Sequence, residues 1–195
     1  MKIACRNEVD TDHLLQLFDS DASRAASVAH FVREGLAACD TVLLVLAPAH
    51  WTAAKAGLAG VDLDAAEREG RLTVRDATLL LHGFMHRGVP EYERFDASVG
   101  AHVRQLIARG RPLRVYGEMV DVLAIEGDFD AARELETLWN QLAVRHPFTL
   151  FCGYSAISFG DPRTAHTLRA LCNAHTRVRS EAEDVLGSFL LEAYR

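Results

Sequence analysis

RVYGEMVDVLAIEGDFDAARELETLWNQLAVRHPFTLFCGYS, residues 114–155, holds two apolar strand-like runs with an amphipathic helix between them. The first run, Leu113 to Tyr116, leads into Gly117-Glu118-Met119-Val120, and the helical stretch beyond it ends near Gly127. Asp128 or Asp130 then stands where a side chain caps a helix by accepting its first backbone N–H bonds. Leu135, Leu138, Trp139 and Leu142 follow at i, i+3, i+4 and i+7, the stripe with which a helix buries one face. Pro147 stops this helix, and Phe148 to Tyr154 (FTLFCGY) reads as the next strand. Two strands joined by a helix predict a parallel pair, because parallel strands need a long crossover connection.

The same alternation extends toward the amino terminus. His13 to Phe18 (HLLQLF) reads as a first strand, followed by a helix from about Ser20 with Val28, Phe31, Val32 and Leu36 on one face. Thr41 to Ala47 (TVLLVLA) is continuously apolar, as suits a strand covered on both sides. Pro48 fits the first turn of a helix, where its missing N–H has no intrahelical partner. That helix runs through Trp51 and Leu58, a short one spans Asp64 to Glu69, and a third strand starts at Leu72. The pattern is helical from Thr78 to Met85, breaks at Gly88-Val89-Pro90, and is helical again from Tyr92 to Ala108. Asp161-Pro162 marks another helix start, and Ser180-Glu181-Ala182-Glu183 predicts a last helix at about 180–194. The expected class is α/β: a three-layer fold, a mostly parallel sheet with helices on both faces, in a single domain over residues 1–195.

With 49% hydrophobic and 25% charged residues the chain falls in the ordinary globular range. A net charge of -6 argues against the clustered Lys and Arg that grip a phosphate backbone, so direct nucleic-acid binding is not expected. The amino terminus, MKIACRNEVDTDH, lacks an apolar leader core and no run reaches membrane-spanning length, which points to a cytoplasmic protein. Cys5, Cys39, Cys152 and Cys172 are scattered without a CxxC pair and read as buried thiols.

The Gly117-Glu118-Met119-Val120 turn, the Leu135-Glu136-x-Leu138-Trp139-Asn140-x-Leu142 helix and the FTLFCGY strand together resemble the MEDS domain, the DcmR-type sensory domain of methanogens and methylotrophs. That resemblance implies a degenerate RecA/KaiC-like fold, a signalling role, and no catalytic activity or cofactor. His13 before the first strand and the Cys172-His175 ending also match the family pattern. Its domains are commonly joined to histidine kinases or DNA-binding regulators. Here the output is expected to pass to such a protein in trans, with a homo-oligomer left open and the last helix, through Phe189, Leu190 and Tyr194, as a contact surface or a packing element.

A RecA/KaiC-like ATPase needs GxxxxGK[ST] between the first strand and helix. This junction reads Leu17-Phe18-Asp19-Ser20-Asp21-Ala22-Ser23-Arg24, with neither glycine nor lysine and with two aspartates that repel phosphate. A crevice remains expected beyond the carboxyl ends of the strands. Those ends bring forward Phe18, Asp19, His50, Trp51, Asp76, Glu118 and Tyr154 as ligand-binding candidates for a small organic molecule. Glu118 is either a ligand contact or a helix-start acid favoured by the dipole, His13 is expected in a structural hydrogen bond, and Trp139 in the core. Alternative readings are an enzyme with Glu118 and a histidine as acid and base, and a pure protein-interaction module. For metal, His82 and His86 at helical i, i+4 spacing and Cys172 with His175 are weak candidates, and packing is the default for both pairs.

Overall fold

The computed structural model describes residues 11–161 and 164–179. Its centre is a six-stranded, wholly parallel sheet in the order β3-β2-β6-β7-β1-β8: β1 (His13–Phe18), β2 (Thr41–Leu46), β3 (Leu72–Asp76), β6 (Leu113–Gly117), β7 (Thr149–Ser155) and β8 (Arg177–Arg179). A hairpin of β4 (Met85–His86) and β5 (Val89–Pro90) lies apart from it.

Period-two alternation distributes the side chains between two cores. Val42, Leu44 and Leu46 of β2 face one core, together with Phe31 and Val32 of α1 (Asp21–Ala37) and Ala54 of α2 (Pro48–Ala56); Ala66 of α3 (Leu63–Arg68) joins them. Leu43 and Val45 face the other, which gathers α4 (Ala77–Phe84), α6 (Ala101–Ile107), α7 (Met119–Ile125), α8 (Phe129–Arg145) and α9 (Ala165–Asn173). This is the expected three-layer α/β arrangement, each layer burying the apolar face of its neighbour. Trp139 anchors the second core, 1% exposed and edge-on to Phe95 with ring centroids 5.3 Å apart.

Several boundaries differ from the sequence reading for local reasons. The helix expected from Tyr92 to Ala108 is α5 (Tyr92–Phe95), a π turn over Asp96–Gly100, and α6. Gly100 leaves room there for the Arg104–Asp96 ion pair, since a Cβ would lie 2.6 Å from the Asp96 carboxylate. The Gly88 break closes the β4–β5 hairpin, with Arg87 and Gly88 both at positive φ (51° and 82°) as a tight hairpin turn requires. α9 begins at Ala165, after the Asp161-Pro162 signal, whose proline lies outside the described residues. The expected helix at about 180–194 also lies outside them. No helix among the described residues is long and apolar enough to cross a membrane.

Candidate functional site

The carboxyl ends of β1, β2, β6 and β7 converge on a buried charge network. Arg24, the fourth residue of α1, is 1% exposed. Its guanidinium donates to Asp121 Oδ2 and to Ser155 Oγ at 2.7 Å each, and lies 3.3 Å from Glu118 Oε1. Asp121, on α7, accepts the Ser155 backbone N–H at 2.7 Å through its other oxygen. Glu118, at the β6–α7 turn, accepts the Ala47 N–H at 2.9 Å and pairs with His50 Nδ1 at 2.7 Å through Oε2, while the Tyr116 hydroxyl donates to Oε1 at 2.9 Å.

Each position follows from local sequence. Ser20 caps α1 by accepting the Ser23 N–H, which fixes the turn that carries Arg24 inward. Pro48 starts α2 and sets His50 within reach of Glu118. Glu118 itself stands at the start of α7 without capping it through its side chain; the carboxylate is directed to the Ala47 amide and His50 on the β2–α2 turn instead.

Electrostatically, two buried carboxylates face one guanidinium. Burial works against the Glu118 charge, but the His50 hydrogen bond, Arg24 and the Ala47 amide outweigh it and hold its pKa below the ordinary carboxylate value. Burial raises the Asp121 pKa in spite of Arg24. The hydrogen bond to Glu118 raises that of His50. The His50 side chain, 24% exposed and 3.7 Å from the exposed Asp21, is where this network meets solvent.

Of the residues expected around a crevice, Phe18, His50 and Glu118 come together, with the Arg24 guanidinium 5.0 Å from the Phe18 ring centroid. Asp19 is exposed beside them. Trp51 is half-buried on α2 against the first core, with the Lys55 ammonium 5.8 Å from its ring. Asp76 caps α4 by accepting the Leu79 N–H at 3.1 Å, so its carboxylate is used within its own helix. Tyr154 departs furthest from expectation: it is buried on the other face of the sheet, where its hydroxyl donates to Glu136 at 2.7 Å. An open groove of about 270 Å³ lies at the opposite, amino-terminal end of the strands, lined by Gln16, His30, Phe31, Asp40 and Arg114 among others.

The metal candidates do not assemble as the two sequence pairs. α4 ends at Phe84, so the helical spacing of His82 and His86 is broken, with both exposed and His86 on β4. Cys172 is buried in the core, where burial pushes its thiol up to about 11, while His175 turns away from it toward Glu136. Arg24 and Asp121 were not singled out from sequence. Both carried a signal: Arg24 precedes Val28 and Phe31 by four and seven residues on the buried stripe of α1, and Asp121 interrupts the apolar run of α7.

A family model described as MEDS, the MEthanogen/methylotroph, DcmR Sensory domain, matches residues 12–176. No curated protein matches the chain.

Proposed function

The chain belongs to the MEDS family of sensory domains, and from that premise we propose that it binds a small organic molecule without transforming it, over the His50–Glu118 pair at the carboxyl end of the sheet. The signal then passes to a separate protein, a histidine kinase or a transcription regulator. The observation that carries this reading is the reach of one network. Through Glu118 and Arg24 it ties α1, the β2–α2 turn, β6, α7 and β7 together, and it meets solvent at His50. A ligand that competes for the His50 or Glu118 hydrogen bonds therefore acts on five elements at once, which is the differential contact that a sensor requires.

The same geometry weighs against acid–base chemistry. Glu118 is 1% exposed, both its oxygens are engaged, and its pKa is lowered, so it is a weak and occupied base. At the β1–α1 junction Arg24 is committed to Asp121 and Glu118, which supports a site without nucleotide hydrolysis.

Thermal-shift screening of nucleotides and small organic compounds tests the reading. The expected result is stabilisation of the wild-type protein by an organic compound, lost in His50→Ala, with no phosphate release from ATP. Turnover of any compound, or a shift that is unchanged in His50→Ala, contradicts it. No shift from any compound, with a partner protein recovered by pulldown, favours the pure interaction module.

A further inference from the structure

On the other face of the sheet from the Tyr116 side chain, four potential ligand groups meet in a buried cluster. His13 stands at the start of β1, Cys152 in the middle of β7, Glu136 on α8, and His175 between α9 and β8. One ligand atom from each lies within 4.8 Å of all the others. β1 and β7 pair Leu15 with Cys152, so His13 and Cys152 are diagonal neighbours on one face, directly beneath α8.

The hydrogen bonds on the outer side of each imidazole fix its tautomer. Asn140 donates its amide N–H to the Ala174 carbonyl at 3.0 Å, which turns its oxygen toward His13 Nδ1 at 2.9 Å. His175 Nδ1 faces the Leu171 carbonyl at 2.7 Å, and a carbonyl only accepts. Both Nδ1 atoms therefore carry hydrogen. In the neutral rings both Nε2 atoms present lone pairs inward, toward the Glu136 carboxylate, an acceptor like themselves. His175 Nε2, on a side chain 0% exposed, is 3.3 Å from Glu136 Oε1, yet has no hydrogen-bond partner among the described residues. Two imidazole lone pairs directed at a buried carboxylate are satisfied by positive charge between them, supplied either by protons on Nε2 or by a metal ion that takes their place.

We propose that His13 Nε2, Glu136, Cys152 Sγ and His175 Nε2 form a binding site for a borderline-soft divalent ion, of which Zn²⁺ is the type. Ligand identity fits: two imidazoles, a thiolate and a carboxylate are a donor set of that class. Spacing fits as well. With metal–ligand bonds of about 2.0–2.1 Å, a tetrahedron has edges of about 3.3 Å, somewhat longer to sulfur. His13 Nε2 is 3.3 Å from Glu136 Oε2 and from Cys152 Sγ, Cys152 Sγ is 3.6 Å from Glu136 Oε2, and His175 Nε2 is 3.3 Å from the other carboxylate oxygen, Oε1; with one oxygen of Glu136 the four ligand atoms lie within 4.8 Å, so an ion draws them closer together. A divalent ion with one thiolate and one carboxylate is neutral in total, which keeps the desolvation cost of so buried a site low. The surrounding support is present too: Asn140 and the Leu171 carbonyl orient the rings, and the Tyr154 hydroxyl holds Glu136. Four protein ligands make a closed site, so the ion ties β1, β7, α8 and the α9–β8 turn together and has no catalytic role.

Protein purified without an affinity tag, stripped with a chelator and reloaded with Co²⁺ or Zn²⁺ provides the test. Uptake of about one Co²⁺ per chain is expected, with a thiolate-to-cobalt charge-transfer band and a tetrahedral ligand-field spectrum, and Zn²⁺ is expected to raise the melting temperature saturably. Cys152→Ser is expected to abolish the charge-transfer band, while Cys172→Ser and His82→Ala retain it. Asn140→Leu, which removes a positioning residue, is expected to weaken Zn²⁺ binding about 10–100-fold. Should Cys152→Ser fail to fold, the wild-type spectrum together with that of Cys172→Ser decides the matter. Stripped wild type that binds no Co²⁺ and melts at the same temperature with and without Zn²⁺ overturns the proposal, as does a charge-transfer band that survives Cys152→Ser.

Discussion

Arg24 Nη2 lies 2.7 Å from Asp121 Oδ2 with both side chains almost wholly withdrawn from water, so one guanidinium from α1 is the fixed partner of a carboxylate on α7. Burying such a pair is costly, and its geometry has to offset that cost. Glu118, 3.3 Å from the same guanidinium, makes the dependence greater.

Removing the cation is therefore expected to be far worse than losing one ordinary contact. Arg24→Met leaves Asp121 and Glu118 buried without it and should destabilise the protein by about 3–5 kcal/mol, measured by urea unfolding. Arg24→Met with Asp121→Asn should recover part of the loss, because fewer charges are stranded. Equal stability of Arg24→Met and wild type would show that the network contributes nothing.

His50 gives the network a pH dependence of definite sign. Its pKa is raised in the folded protein, chiefly by the hydrogen bond to Glu118, with Arg24 opposing and Asp21 adding to the effect. Its contribution is thus complete below the unfolded value of about 6.5 and disappears as pH rises through the folded value. The stability advantage of wild type over His50→Gln should shrink with rising pH across that window. An advantage that grows instead contradicts the assignment.

Gly153 sits beneath the Tyr116–Glu118 bond. A Cβ there would lie 2.5 Å from the Tyr116 hydroxyl oxygen and 2.9 Å from Phe18 Cε2, both in a packed core. Gly153→Ala should cost about 1–3 kcal/mol through overpacking and displace the hydroxyl from Glu118. Unfolding midpoints measure the first effect, and a weaker response to the stabilising compound reveals the second.

Asp76 separates capping from ligand contact. Its carboxylate caps α4, so Asp76→Ala should lower stability by about 1 kcal/mol and leave compound binding unchanged. Loss of binding without loss of stability would restore it to the site.

The sequence made the sheet legible where pattern and burial agree: the unbroken apolar run of β2, the capped stripe of α8 and the Pro48 start of α2 fall close to their expected places. β8 did not, because Arg-Val-Arg has one apolar residue and becomes a strand only by pairing with Leu14 to Gln16 of β1. Of the strand-end residues, His50 and Glu118 do hydrogen-bond to each other, and Phe18 lies beside the Arg24 guanidinium that pairs with Glu118. Which face each residue serves was harder to read. Tyr154 shares parity with Leu150 and Cys152 and so faces α8, while Tyr116 faces α1, and only the packed layers distinguish the two. His13, Glu136, Asn140 and His175 were each visible in sequence, but separations as large as 163 residues between His13 and Thr176 are closed by tertiary contacts alone.

Titration calorimetry of the stabilising compound into wild type, His50→Ala and Asp76→Ala tests the sensory reading most directly. One saturable binding event is expected with wild type and Asp76→Ala, at least about tenfold weaker in His50→Ala, a loss of about 1.4 kcal/mol. Equal affinity for His50→Ala, or a sustained heat signal that reports turnover of the compound, would contradict it.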